Sequence, residues 1–293
     1  MGRETNRQRR EKQAATAREK AASARANQAR ADQRRRAKTI LSSVVAVAVV
    51  IAIIVVVAVT RPVNNNPAGD RTSARPTVVT GVTDVSSSTT DQVAQGNASL
   101  SAVKAISDPA LTDNGKPELL FVGAEFCPFC AAERWSMVNA LSRFGTFTNL
   151  NQIRSATDDG NLATFSFYKS SYTSKYLSFV PVEDEDRDQK QLETPTKAQD
   201  ALWAKYTGHS FPFMDFGGQY VVTNAGYPDT DLTGLNWTQI TADLKDPSST
   251  VGKDILGEAN VLTAMICKLT NNQPANVCSA AGVSKVALPQ PSA

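Results

Sequence analysis

The stretch "ELLFVGAEFCPFCAAERW", residues 118–135, decides how this chain is read. Its first half is a short apolar run, the pattern of a strand buried on both faces. Its second half opens a helical pattern: Ala132, Trp135 and Val138 recur at helical spacing, and Met137, Leu141 and Phe144 broaden the stripe. Between the two halves stand Cys127 and Cys130. Pro128 suits the first position of a helix, where its missing N–H costs nothing, so Cys127 falls at the helix N-terminus. Unpaired N–H groups and the positive end of the helix dipole favour a thiolate there. Cys130 lies inside the first turn and is more shielded. One thiol exposed and acidified, with the other shielded and within reach, is what dithiol–disulfide exchange needs, so Cys127 is expected to be exposed. Cys127 is the expected nucleophile, and Cys130 resolves the mixed disulfide.

Whether such a pair works depends on its compartment. The chain has 293 residues and a net charge of +3, unevenly spread. Residues 1–38 hold thirteen Lys or Arg against four acids, a net of +9, which leaves −6 for residues 39–293. Dividing them is "ILSSVVAVAVVIAIIVVVAV", residues 40–59, without a charge. As a helix it is about 30 Å long, the thickness of a bilayer's hydrocarbon core. A cleaved signal has a shorter apolar region and a shorter basic lead, so residues 39–60 are expected to be an uncleaved transmembrane helix. The basic tail, residues 1–38, then stays cytoplasmic, and the rest lies outside the cell membrane. Lipid contact explains this tail better than nucleic acid, because it has no aromatic residue for stacking.

Residues 61–98 are rich in Thr, Ser, Asn, Pro and Gly and read as a flexible linker. A domain over 99–288 and a short tail over 289–293 complete the organisation. Within the domain, "SLSAVKAIS" reads as a short helix, "ELLFVGA" and "LATFSFYKS" as strands, and "PTKAQDALWAKYTG" as a helix. "FPFMDFGGQYVVTNAG" reads as a hairpin turning at Gly217 and Gly218, and two helices follow it. This order indicates a mixed α/β sheet with helices on both faces.

Ten residues lie between Cys267 and Cys278, more than within the pairs of a four-cysteine zinc site, and His209 is the chain's one histidine. A structural disulfide is the favoured reading of that pair, with a second redox pair as the alternative. No resident metal or organic cofactor is expected. The acidic run "EDED", residues 183–186, lacks the spacing and glycine of a calcium loop and reads as a solvated charged loop. Tyr168, Tyr172, Tyr176 and Phe179 suit either a peptide groove or strand packing.

"FVGAEFCPFC" followed by a helix resembles the active-site region of the thioredoxin superfamily, and "HSFPFMDFGGQYV" resembles its cis-proline loop. More closely, "GAEFCPFCAAERW", "FYKSSYTSKYLSFVPVE", "FPFMDFGG" and the "LTAMIC…VC" pair resemble the membrane-anchored, thioredoxin-like family known as domain of unknown function 929. The resemblance implies a thioredoxin-like mixed sheet flanked by helices. Segment 169–195 would be an insertion between the second strand and the cis-proline strand. Phe211 and Pro212 would lie against Cys127 and bind an extended substrate. One position departs from the pattern: six residues before Cys127, where an acid is commonly buried, stands Phe121. Another group must then serve the deprotonation of Cys130, with Glu125, Glu133 or water as candidates. Glu125 and His209 are the expected tuning residues.

The function expected is a membrane-anchored thiol–disulfide oxidoreductase, an oxidase or isomerase rather than a reductase. Its partners would be cysteine-containing extracytoplasmic proteins, a membrane or soluble redox partner and the lipid bilayer, with no nucleic acid. The rival readings are a non-catalytic binding module with fixed disulfides and a metal carrier.

Overall fold

A computed structural model of the chain describes residues 71–291. The basic tail, the apolar run and the first ten residues of the expected linker lie outside the described residues. From Arg71 a two-residue strand, β1 (Thr72–Ser73), leads into helices α1 (Pro76–Thr83) and α2 (Ser87–Val93). Pro76 starts α1, and Ser86 caps α2 by accepting the Thr89 N–H. Val78, Val82 and Val93 are buried. The linker expectation is therefore corrected from residue 71 onward: this segment is part of the folded domain. Its small polar composition conceals valines four apart, which share one helix face.

The chain continues through β2 (Val103–Ala105), β3 (Thr112–Asp113) and β4 (Lys116–Gly123) into helix α3 (Pro128–Ser142). "SLSAVKAIS", expected to be helical, carries β2, an edge strand with Val103 buried and Lys104 exposed. An excursion of short strands follows: β5 (Gly145–Thr148), β6 (Asn151–Arg154), β7 (Ala163–Ser166) and β8 (Ser171–Ser174). Then come β9 (Ser178–Glu183), α4 (Lys197–Thr207), β10 (Phe213–Phe216) and β11 (Tyr220–Val222). Helices α5 (Trp237–Asp243), α6 (Thr250–Leu269), α7 (Ala275–Cys278) and α8 (Ala281–Ser284) close the chain.

The main sheet runs β2-β11-β10-β4, with β9 parallel to β4 on its far side and every other pairing antiparallel. Alternation along β4 sends Leu119 and Phe121 to one face and Leu120 and Val122 to the other. The first pair joins the large core with α3 and α6, and the second packs with Trp203 of α4 and Phe213. The β10–β11 hairpin turns at Gly217 and Gly218, both at positive φ, and the buried Asp215 carboxylate accepts the Gly218 N–H at 2.7 Å.

Two expectations about the middle of the chain need correction. The strand in "LATFSFYKS" exists as β7, but it pairs with β6, which pairs with β1 in a separate small sheet. The parallel partner of β4 is β9, which lies inside segment 169–195 and so is no insertion. The excursion comes earlier, over residues 145–174. Pro181 disguised β9, and β9 tolerates it because it has β4 as its one ladder partner in that sheet.

The same wrapping changes α3. Its expected apolar stripe is exceeded: every residue from Cys130 to Leu141 is buried. The Asn139 amide donates to Val82 O of α1 at 2.7 Å, and the Trp135 indole to Ala163 O of β7 at 2.8 Å. The Ser136 hydroxyl donates to Ile255 O of α6 at 3.1 Å. Tyr172 and Phe179 pack with Phe147 and Phe167 in an aromatic cluster, which is the strand-packing role.

Candidate active site

The end of β4 delivers the chain at Ala124 to the start of α3, and Cys127 is the N-cap of that helix. Its sulfur accepts the Cys130 N–H at 3.2 Å, as a capping oxygen would. Both cysteines are free thiols; Cys130 is wholly buried, and the expected exposure of Cys127 is corrected to 4%, because Phe126 and Phe211 pack against the cluster it forms with Ala124 and Cys130. Between them Phe129 is 41% exposed, the one exposed large hydrophobic side chain among the described residues.

The two thiols differ electrostatically. Donation from the Cys130 thiol lowers the Cys127 pKa; burial opposes this, while the Cys130 N–H and the Arg134 charge add to the lowering. Burial pushes Cys130 well up, as do its role as donor to Cys127 and the charge of a Cys127 thiolate; Arg134 pulls it down. Of the two, Cys127 is therefore the thiol that ionises first.

The Phe211–Pro212 peptide bond is cis. Phe211 packs against the cluster of Ala124, Cys127 and Cys130, with its ring 5.9 Å from Phe126 and stacked on Trp203 at 4.9 Å. His209 stands further out, exposed, bonded to Asp200 at 3.0 Å and edge-on to Trp203. It reaches the dithiol through two intervening rings, so the structure does not bring it into contact with the thiols.

Glu125 is not solvated. It is 1% exposed, and its Oε1 accepts the Ser166 hydroxyl and Arg71 Nε, both at 2.6 Å. Burial raises its pKa; the Ser166 bond opposes this, the Glu183 charge adds to it, and Arg71 opposes it. Arg71 also lies over the Tyr168 ring at 4.7 Å, so the N-terminal strap is pinned two residues from Cys127. Glu133 points elsewhere, toward Glu258 of α6.

Two site residues escaped sequence reasoning. Arg134 is fully buried; its Nε and Nη2 bond the Glu183 carboxylate at 3.0 and 2.5 Å, and Nη2 also bonds Ala124 O at 2.8 Å. Its guanidinium lies 5.7 Å from the Phe121 ring. Arg134 stands four residues after Cys130 and seven after Cys127, a spacing that shares one helix face and would have revealed it. Glu183 had no such signal, because it sat in a run read as a solvated loop; that reading is corrected for Glu183 and Asp184, both buried. Gly123 completes the arrangement: a Cβ there would meet Cζ of Phe121 at 2.3 Å, so only glycine lets the ring lie along the strand beside Arg134.

Away from this site, Cys267 and Cys278 form a disulfide with Cα atoms 5.6 Å apart. Among the described residues no three His, Cys, Asp or Glu side chains converge as metal ligands would. No described helix is long and apolar enough to cross a membrane, and the apolar run at 40–59 lies outside the described residues.

Residues 102–268 match the family model named Domain of unknown function (DUF929). The chain belongs to the DUF929 family. The match takes in the dithiol, Arg134, Glu183 and the Phe211–Pro212 loop, and it leaves out the N-terminal strap and Cys278. No curated protein and no solved structure matches the chain. The DUF929 segment is a mixed α/β unit with a free dithiol at the start of α3, a helix buried without a break from Cys130 to Leu141.

Proposed function

We propose that the protein is a thioredoxin-like thiol–disulfide oxidoreductase, anchored by residues 39–60 and acting on cysteine-containing proteins outside the cytoplasm. The observation that carries this reading is the asymmetry of the dithiol: Cys127 caps α3 with its sulfur on the Cys130 N–H and has its pKa lowered, while the fully buried Cys130 is pushed well up. Support also comes from the topology, a strand–helix–strand unit followed by a Phe-Pro loop and a hairpin, with the loop packed on the dithiol.

In the oxidising direction a substrate thiolate attacks the Cys127 sulfur of the Cys127–Cys130 disulfide, and Cys130 leaves with the electron pair. A second substrate thiolate then attacks the substrate sulfur of the mixed disulfide and expels the Cys127 thiolate. Two electrons pass from the substrate dithiol to the protein, and a further redox partner must reoxidise it. A stabilised Cys127 thiolate is a good leaving group, which favours oxidation or isomerisation over reduction.

The full-length protein, with its dithiol oxidised, is expected to introduce disulfides into a reduced, unfolded test protein. Cys127→Ser should abolish the activity. Equal activity in that variant, or none in the parent, overturns the proposal. The rival binding module would keep a Cys127–Cys130 bond that resists glutathione.

A further inference from the structure

Either direction of exchange requires a fully buried sulfur to hold negative charge. Cys130 leaves as a thiolate when its bond to Cys127 breaks. In reverse, the Cys130 thiolate attacks the Cys127 sulfur of the mixed disulfide, and the departing substrate thiolate takes a proton from water. A lone anion at a site with no solvent exposure is costly. Phe121 offers no carboxyl to exchange a proton with it.

Helix α3 supplies a cation instead. We propose that Arg134 is the positioning residue that lets Cys130 carry this charge, its guanidinium fixed beside the dithiol by Glu183, Ala124 and the Phe121 ring. The inference rests on the exchange reading above and assigns the group that stands in for an acid.

Four observations support it. Arg134 has no solvent exposure, so its charge is not screened by water. Three hydrogen bonds, two to Glu183 and one to Ala124 O, fix its orientation, and Ala124 belongs to the turn that leads into Cys127. Phe121 occupies the acid's position in the strand and packs toward the guanidinium. Finally, Nη1 has no hydrogen-bond partner among the described residues. A purely structural ion pair gains nothing from a buried donor left unbonded, because each such group costs stability. A donor reserved for charge that appears during reaction accounts for it.

The electrostatics agree in both directions: the Arg134 charge lowers the pKa of both cysteines, and a charged Cys130 raises that of Arg134. The other charges nearby are Glu125, Glu183 and Arg71, and Arg71 is held on Glu125. Arg134 is thus the cation of the site whose carboxylate partner still leaves one donor open.

The test uses the full-length protein with its dithiol reduced and reads the Cys127 pKa from the pH dependence of its alkylation. In Arg134→Gln/Glu183→Gln both buried charges go, so no orphan ion remains. The Cys127 pKa should rise by about one unit or more, roughly a tenfold loss of thiolate at neutral pH. The glutathione equilibrium should move toward the protein disulfide. Glu183→Gln alone keeps the cation and removes its counter-charge, so it should shift the pKa in the opposite direction. Arg134→Lys should stay near the parent. A folded double variant with an unchanged Cys127 pKa overturns the proposal, as does a rise in Glu183→Gln. Should the double variant not fold, the sign in Glu183→Gln decides. A parent that titrates as expected but fails to oxidise test proteins sinks the exchange reading and leaves the Arg134 assignment standing.

Discussion

Glu133 of α3 and Glu258 of α6 are two carboxyl groups facing each other in the interior, and they set a pH dependence separate from the dithiol. Burial pushes Glu133 well up, and the neighbouring Glu258 adds to this. Burial raises Glu258 to about 7, against the proximity of Glu133 and the bonds it accepts from the Gly226 N–H and the Ser136 hydroxyl. Two buried carboxyl groups side by side do not both ionise, and Glu133 is the more strongly raised of the two. The sign of the effect follows. Between the ordinary glutamate range and pH 7 the folded protein binds a proton that the unfolded chain releases, so stability falls as pH rises through that window. Asp254 and Asp215, each raised to about 6 by burial, act in the same direction. The melting temperature is expected to decline from pH 5 to pH 8, and Glu258→Gln should flatten the decline without abolishing it. A profile equally steep in that variant would refute the assignment.

Among the elements, α1 shows what sequence can and cannot reveal. The active-site strand, α3, α4, the hairpin, α5 and α6 were all legible, because each carries its own signal: an apolar run, a helical stripe, a Pro at the start or a Gly-Gly turn. The dithiol was legible for the same reason, since its chemistry is set by where one helix begins. What stayed hidden depends on partners distant in the chain. The strap at 71–98 has too few apolar residues to stand alone as a helix pair, and it folds because α3 and α6 offer it a surface. Strand β9 was disguised by Pro181, and Arg134 looked like an ordinary helix charge until Glu183 was placed beside it. The role of α1 is measurable. Val82→Ala removes two buried methyl groups and should cost about 2 kcal/mol, read by denaturant unfolding. A chain beginning at Ser99 should lose cooperative unfolding, because α3 would be stripped along the face that Asn139 presents to α1. Cooperative melting of that truncated chain would show the strap to be dispensable.

Across the whole molecule, segments from both ends converge on α3: α1 from the N-terminal side, the β5–β8 excursion from the middle and α6 from the C-terminal side. The Cys267–Cys278 bond fixes the end of α6 to the final short helices by closing a loop with a separation of 11 residues. Replacing both cysteines by alanine should lower stability by about 3 kcal/mol and leave the Cys127 alkylation profile unchanged. A shift in that profile would instead tie the two cysteine pairs together. The enclosure of α3 also has a consequence for biogenesis. The helix cannot be housed until α6, more than a hundred residues later in the chain, has been made. During that interval Cys127 and Cys130 are unprotected thiols in a chain about to receive two more. Which sulfurs meet first is then a race, and short loops close faster than long ones. The Cys267–Cys278 loop, with a separation of 11 residues, closes at a lower entropic cost than any loop that would join either of these cysteines to Cys127 or Cys130.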